Sequence, residues 1–332
     1  MHLVLCGLVY LAAGLLIAAC SKKDLNFPRA RVRPLCLDSL KTLDTDLPDA
    51  LYSGLVFTNE RTGLAAAPGW LARTTDGGRH WVTIPLPVST PVARMQFTDE
   101  KTGNLISGDQ AGGCLLKTTD GGLHWRVIRL EALACPYGMY FLDSRRGFIT
   151  GKNLFIRTTD GGEHWSSLKS PGFRMFQDVG FRDGRTGYAS SYLGGYFRTR
   201  DGGRTWDSLH LEGAGYLYDL YFPPNQSLVE RSPDSLVDLD HQENIIRKPV
   251  MARKLLYLDD QRCIGVGSHY EDQGFYPYGD LLVTNDNWST WQRKIFSPGL
   301  ALTFSALARI NDHQVMILGA GYGGTKVMVL NF

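Results

Sequence analysis

The sequence predicts an all-β fold, a seven-bladed β-propeller with four-stranded blades, and three observations carry that expectation. The octet Thr74-Thr-Asp-Gly-Gly-Arg-His-Trp81 returns as Thr118 to Trp125, Thr158 to Trp165 and Thr199 to Trp206, then in altered form as Thr284-Asn-Asp-Asn-Trp-Ser-Thr-Trp291. Its closing tryptophans lie 44, 40, 41 and 85 residues apart, so the last interval holds two periods and one module lacks the octet. A fixed period of this length marks a modular array. Second, Phe97, Phe141, Phe181 and Phe222 each follow a box tryptophan by 16 residues. Third, four modules then read Phe-x-Asp/Asn-x-x-x-Gly: Phe57/Asn59/Gly63, Phe97/Asp99/Gly103, Phe141/Asp143/Gly147 and Phe181/Asp183/Gly187. Each module is four short strands, a to d, with the Phe on a and the octet between c and d, which is the make-up of a propeller blade.

Taken in order, the chain begins with nearly unbroken apolar sequence from Leu3 to Ala19, ending Ile17-Ala-Ala-Cys20. Small residues before a cysteine predict that residues 1–19 are a lipoprotein-type signal peptide and that Cys20 is lipidated. An ordinary cleaved signal and an uncleaved anchor are the alternatives, the stretch being short for a spanning helix. Residues 20–36, with Lys22, Lys23, Arg29, Arg31 and Arg33, read as a tether, and residues 37–332 as one propeller domain. The expected location is therefore the cell envelope, anchored to a bacterial membrane on its periplasmic or surface side, as a monomer.

Inner strands end near Phe57, Phe97, Phe141, Phe181, Phe222, Tyr257 and Leu307, which counts seven blades. Blade five lacks an octet, and its outer strands fall within 227–250. Blade six runs long between b and c, through 268–279. The last blade has apolar strands at Val315 to Leu318 and Val327 to Leu330 but no d strand before Phe332. Leu37 to Leu43 should supply it and close the ring, which hides strand edges that would otherwise recruit other chains.

The octet is a turn before it is anything else. Asp followed by two glycines between strands is a hairpin signal, since glycine takes positive φ without steric cost. The Asp carboxylate can accept its own turn's N–H groups, the Thr hydroxyl can brace it, and the Trp offers an apolar face to a neighbouring sheet. Thr74, Asp76, Gly78 and Trp81 are thus read as structural. So are Thr118, Asp120, Gly122 and Trp125; Thr158, Asp160, Gly162 and Trp165; Thr199, Asp201, Gly203 and Trp206; and Thr284, Asp286 and Trp291. His80, His124 and His164 fill one slot that holds Thr205 and Thr290 elsewhere, on separate blades, too far apart to share a metal.

Cysteine spacing shows no CxxC or metal-ligand pattern, so neither a metal nor another cofactor is expected. Export would permit disulfides. Cys114 opens strand c of blade two and Cys135 precedes strand a of blade three, which makes them the preferred pair and leaves Cys36 with Cys263. A formal charge of +2 and a pI near 8.2 give no ground for nucleic-acid binding.

The Thr-x-Asp-Gly-Gly-x-x-Trp octets resemble the bacterial neuraminidase repeat, or Asp-box. With Phe-x-Asp-x-x-x-Gly at fixed offset, residues 37 to 332 resemble the photosystem II stability and assembly factor family. That resemblance implies a seven-bladed, non-enzymatic scaffold that helps assemble a membrane complex. Sialidases share the boxes and supply the enzymatic alternative, which needs an arginine cluster, a Tyr–Glu pair and an acid Asp. Their early Phe/Tyr-Arg-Ile-Pro motif has only Phe27-Pro-Arg-Ala30 as a counterpart here.

Recognition is expected on the face opposite the boxes, where irregular loops sit on a rigid scaffold. Its richest stretch is His269-Tyr-Glu-Asp-Gln-Gly-Phe-Tyr-Pro-Tyr278, offering Tyr270, Glu271, Asp272, Tyr276 and Tyr278. Arg94, Asp178, Asp219 and Lys254 each stand three residues before an inner-strand landmark and could ring the channel mouth. Tyr137, Arg174, Tyr192 and Tyr322 lie in nearby loops. Aromatics with Arg suit protein or glycan contacts. The expected partner is an envelope protein or membrane complex. In the glycan-active alternative Glu271, Asp272 or Asp178 is the acid and Arg94 or Arg174 clamps a sugar carboxylate.

Overall fold

The computed structural model describes residues 33–109, 112–129, 136–168, 175–191, 195–211, 217–241, 244–269, 277–296, 303–321 and 324–332. Seven antiparallel sheets of four strands make up the ring. The a strands are Gly54–Phe57, Val92–Phe97, Pro136–Phe141, Phe176–Phe181, Leu220–Tyr221, Lys254–Tyr257 and Thr303–Asn311. Six blades use consecutive strands. The seventh takes Leu40–Thr42 from the other end of the chain as strand d, pairing Leu40 with Leu330 and Thr42 with Met328. Ser39 and Asn331 bond reciprocally across this seam, the Asn331 amide donating to the Ser39 carbonyl at 3.1 Å. The landmark in this blade lies later than the sequence suggests, because strand a runs past Leu307 to Asn311.

Apolar side chains are divided into clusters between neighbouring blades. Ile106 and Leu115 of blade two, for example, pack with Met139, Phe141 and Ile149 of blade three. Burial of such side chains contributes about 1.5–3 kcal/mol each, so each blade depends on its neighbours.

The Phe–Gly pair has a steric origin. Each landmark Phe faces its Gly across the a–b register, as Phe97 faces Gly103. A Cβ on Gly63, Gly103, Gly147 or Gly187 would lie 2.7, 2.7, 2.5 and 2.5 Å from the Phe ring. Between them the Asp makes the turn, Asp99 Oδ1 accepting the N–H groups of Lys101 and Thr102 at 2.8 and 2.7 Å.

In every box the Thr hydroxyl and the Asp carboxylate brace the turn. In the first, the Thr74 hydroxyl donates to Asp76 at 2.9 Å and accepts Gly78 N–H at 3.0 Å. Asp76 Oδ1 accepts the N–H groups of Arg79 and His80, and Trp81 Nε1 donates to the Gly78 carbonyl at 2.8 Å. Gly77 and Gly78 have φ of 78° and 95°. Gly77 N–H also donates to the Arg61 carbonyl at 2.9 Å, tying the box to the a–b turn of its own blade. Boxes and a–b turns therefore share one rim, and the b–c hairpins and d–a connections share the other.

Adjacent blades are latched along the box rim. The basic residue near the end of strand c reaches the next box: Arg73 donates to the Gly121 carbonyl, Lys117 to Gly161 and Arg157 to Gly203, at 2.9, 2.8 and 3.1 Å. Arg198 of blade four faces blade five, which has no box, and its Nε is buried without a hydrogen-bond partner.

Blade six corrects one expectation. Thr284, Asp286 and Thr290 reproduce the box hydrogen bonds, but Trp291 is not the packed indole and is 49% exposed. Trp288, in the slot of the second glycine, fills the space against Leu228 and Leu236 of blade five, 2% exposed. Asn287 and Trp288 accordingly take the left-handed conformation, with φ of 51° and 70°. Cys36, Cys114 and Cys263 are free thiols. Cys135 lies outside the described residues, as do Cys20 and the stretch 270–276.

Candidate functional site

Neighbouring a strands line the central channel and are joined directly. The Gln96 side chain accepts from Phe141 N–H and donates to the Phe141 carbonyl, at 2.7 and 2.9 Å. Three residues before the landmarks, towards the opposite mouth, three of the four charged residues singled out in the sequence converge, and the fourth, Lys254, acts on Asp219 through its charge. Arg94 Nη2 of blade two lies 3.5 Å from Asp178 Oδ1 of blade four and 3.5 Å from Asp219 Oδ1 of blade five. These three side chains are 11–13% exposed. Blade three, which intervenes, has Gly138 at this level. A Cβ there would come within 3.0 Å of Asp178 Oδ1 and 2.4 Å of Thr150 Oγ1. The missing side chain lets Arg94 and Asp178 meet across a blade.

Asp178 also accepts from Leu220 N–H at 3.1 Å and from its neighbour Val179 N–H at 3.0 Å. Lys254, on strand a of blade six, donates to the Ser305 carbonyl of blade seven. Burial pushes the Asp219 carboxyl up to about 8, against the pull of Arg94 and with the help of Asp178 and Glu230. Burial likewise pulls the Lys254 ammonium down to about 7, opposed by Asp219. Glu230, raised by burial, is held by Lys248 at 3.1 Å. The network spans blades two to seven and can rearrange charge, since each group's ionisation depends on its neighbours.

Of the other expected binding residues, Tyr137 lies half-buried on strand a of blade three, and Tyr278 opens strand c of blade six. Arg174, Tyr192, Tyr270, Glu271, Asp272, Tyr276 and Tyr322 lie outside the described residues. Tyr278 belongs to a cluster the sequence reading missed. Its ring stacks on His269 at 5.2 Å, and His269 Nδ1 lies 2.6 Å from Asp280 Oδ2. Arg293 Nε donates to Asp280 Oδ1 at 2.8 Å, and the Asp280 side chain is fully buried. An acid inside the apolar strand Tyr278–Thr284 is the signal that could have exposed it.

The box carboxylates are each held within their own turn. His80, His124 and His164 each hold the carboxylate of their own box, at 2.6, 2.7 and 2.7 Å, as the Thr205 and Thr290 hydroxyls do. Among the described residues no group of His, Cys, Asp or Glu could hold a metal ion. A groove of about 390 Å³ between blades three and four is lined by Arg145, Arg146, Arg157 and Arg204 with Asp143. Arg146 there is engaged by Asp143 at 2.8 Å and Arg157 by the box carbonyl already described.

A family model described as photosynthesis system II assembly factor YCF48 matches residues 74–220. No curated protein matches the chain in sequence. Among solved structures, one of YCF48 bound to D1 peptide superposes with a TM-score of 0.66 at 19% identity, covering 90% of this chain and 99% of that one. YCF48 from Cyanidioschyzon merolae gives 0.65 at 15% identity, covering 88% and 98%. A streptogramin B lyase gives 0.63 at 14% identity, covering 88% and 97%. The chain is similar to the photosystem II assembly factors in repeat and in fold. A lyase on the same fold means that the fold alone does not separate scaffold from enzyme.

Proposed function

We propose that this chain is an exported, lipid-anchored scaffold that holds a segment of an envelope protein at the ring mouth opposite the boxes, without catalysis. The observation that carries this reading is the division of polar groups between the two rims. Box carboxylates and imidazoles satisfy one another locally, whereas Arg94, Asp178, Asp219 and Lys254 from four blades meet at the other mouth. Such a mouth can exchange internal ion pairs for those of a polypeptide, with positions fixed by rigid strands. The likeness to a YCF48 structure that holds a D1 peptide supports a polypeptide ligand.

A glycan-active enzyme is the second reading and would use the same groups, with Asp178 or Asp219 as proton donor. The raised Asp219 favours it. Against it, the guanidinium that would clamp a sugar carboxylate already faces two carboxylates of its own chain.

Affinity purification of the full chain from its host membrane tests the proposal, comparing the natural protein with Asp219→Asn, each confirmed folded by thermal melting. The expected result is a co-purifying membrane protein that is lost from the folded variant. Undiminished recovery refutes the assignment of this mouth. Turnover of fluorogenic sialosides or β-glucan oligomers that disappears with Asp178→Asn replaces the scaffold with a hydrolase.

A further inference from the structure

The chain enters the ring at one fixed point of the box rim. The Arg33 carbonyl accepts from Arg262 Nη1 at 2.8 Å, and Arg262 belongs to the a–b turn of blade six. Leu35, 1% exposed, exchanges two hydrogen bonds with the side chain of Asn285, the second residue of the blade-six box, at 2.7 and 3.0 Å. Leu37 N–H then donates to Gln292 Oε1 at 3.3 Å. Next to Gln292 stands Trp291, the one exposed tryptophan among seven. Trp288 has taken over the packing task, so nothing in the ring requires an indole at 291.

We infer that this blade-six edge of the box rim is where the ring rests on an anionic lipid surface, with Trp291 at headgroup level. The inference rests on the lipid-anchored reading above. Cys20 is 13 residues from Arg33, so the edge where the tether leaves stays within about 45 Å of the bilayer. Indoles favour the membrane interface, where one end of the ring meets water and the other apolar groups. Residues 21–33 carry Lys22, Lys23, Arg29, Arg31 and Arg33 against Asp24 alone, which suits acidic headgroups. In this pose the mouth holding Arg94 and Asp219 faces away from the membrane, open to a partner.

Full-length lipidated protein is reconstituted with phosphatidylglycerol-containing vesicles that bear a shallow nitroxide lipid, and tryptophan emission is measured. The natural chain should float with the vesicles and be quenched; Trp291→Phe should float equally and lose most of that quenching. Equal quenching of both proteins, or none of either, in floated samples overturns the inference while leaving the anchor intact. Failure to float overturns the anchor reading and this inference together.

Discussion

In blades one to four the box hairpin turns on two glycines and packs its closing indole, whereas blade six turns on Asn287 and Trp288 and leaves its closing indole in solvent. Both versions keep the Thr hydroxyl and Asp carboxylate in the same bonds. The difference shows which parts of the box the turn itself needs and which are set by the neighbouring blade. A Cβ at Gly203 would stand 2.1 Å from Phe148 of blade three. Leucines flank the slot in other blades too, as Leu64 does beside Gly122, but the blade-six strand offers Gly265, whose Cβ would lie 2.8 Å from Trp288. Space between blades, not turn chemistry, decides where the tryptophan goes.

The sharpest way to break that comparison is to remove each blade-six indole in turn. Trp288→Ala should destabilise the ring by about 3–5 kcal/mol through the cavity it leaves, while Trp291→Ala leaves the denaturation midpoint nearly unchanged. Equal effects would return Trp291 to the packed role. Next in size, Gly203→Ala combines a left-handed backbone with the clash on Phe148 and should cost about 3 kcal/mol in chemical denaturation. A neutral result there would show that the glycine reflects the turn alone.

The shared hydroxyl offers a smaller test. Thr118→Val and Thr284→Val should each cost about 2 kcal/mol, by stripping a buried N–H of its acceptor. Markedly unequal values would mean that the two versions of the box are held differently.

The mildest effect concerns pH. Burial works against ionisation of Asp120, but hydrogen bonds from the His124 backbone and ring and from Thr118 outweigh it and bring the carboxyl to about 2. A folded value below the unfolded one gives stability that is present above pH ~4 and drains as pH falls towards ~2. Acid titration of the melting temperature should therefore show a shallower slope in that window for Asp120→Asn. His80→Thr should behave almost like the natural chain at neutral pH, since Thr205 makes the equivalent bond to its own box.

How much was legible follows from what kind of interaction each feature needs. The octets, the Phe–Gly pairs and the closing strand were readable because each is a local or strictly periodic pattern. The convergence of Arg94, Asp178, Asp219 and Lys254 was legible as a shared register position three residues before a landmark. Their pairing was not, because it depends on Gly138 clearing a path across blade three. His269, Asp280 and Arg293 come from three strands with no common spacing, so only folding brings them together. Trp291 was misplaced because periodicity reports the slot and not the neighbour that fills the space beside it.

Sequence by itself determined the seven-fold repeat, the turn in each box and the strand that seals the ring, since hydrogen bonds a few residues apart and a period of two along strands are written in residue order. Tertiary structure alone decided which indole is buried, which charges meet at the mouth and where residues 33–37 meet the ring, because those outcomes depend on the space and charge that one blade presents to the next.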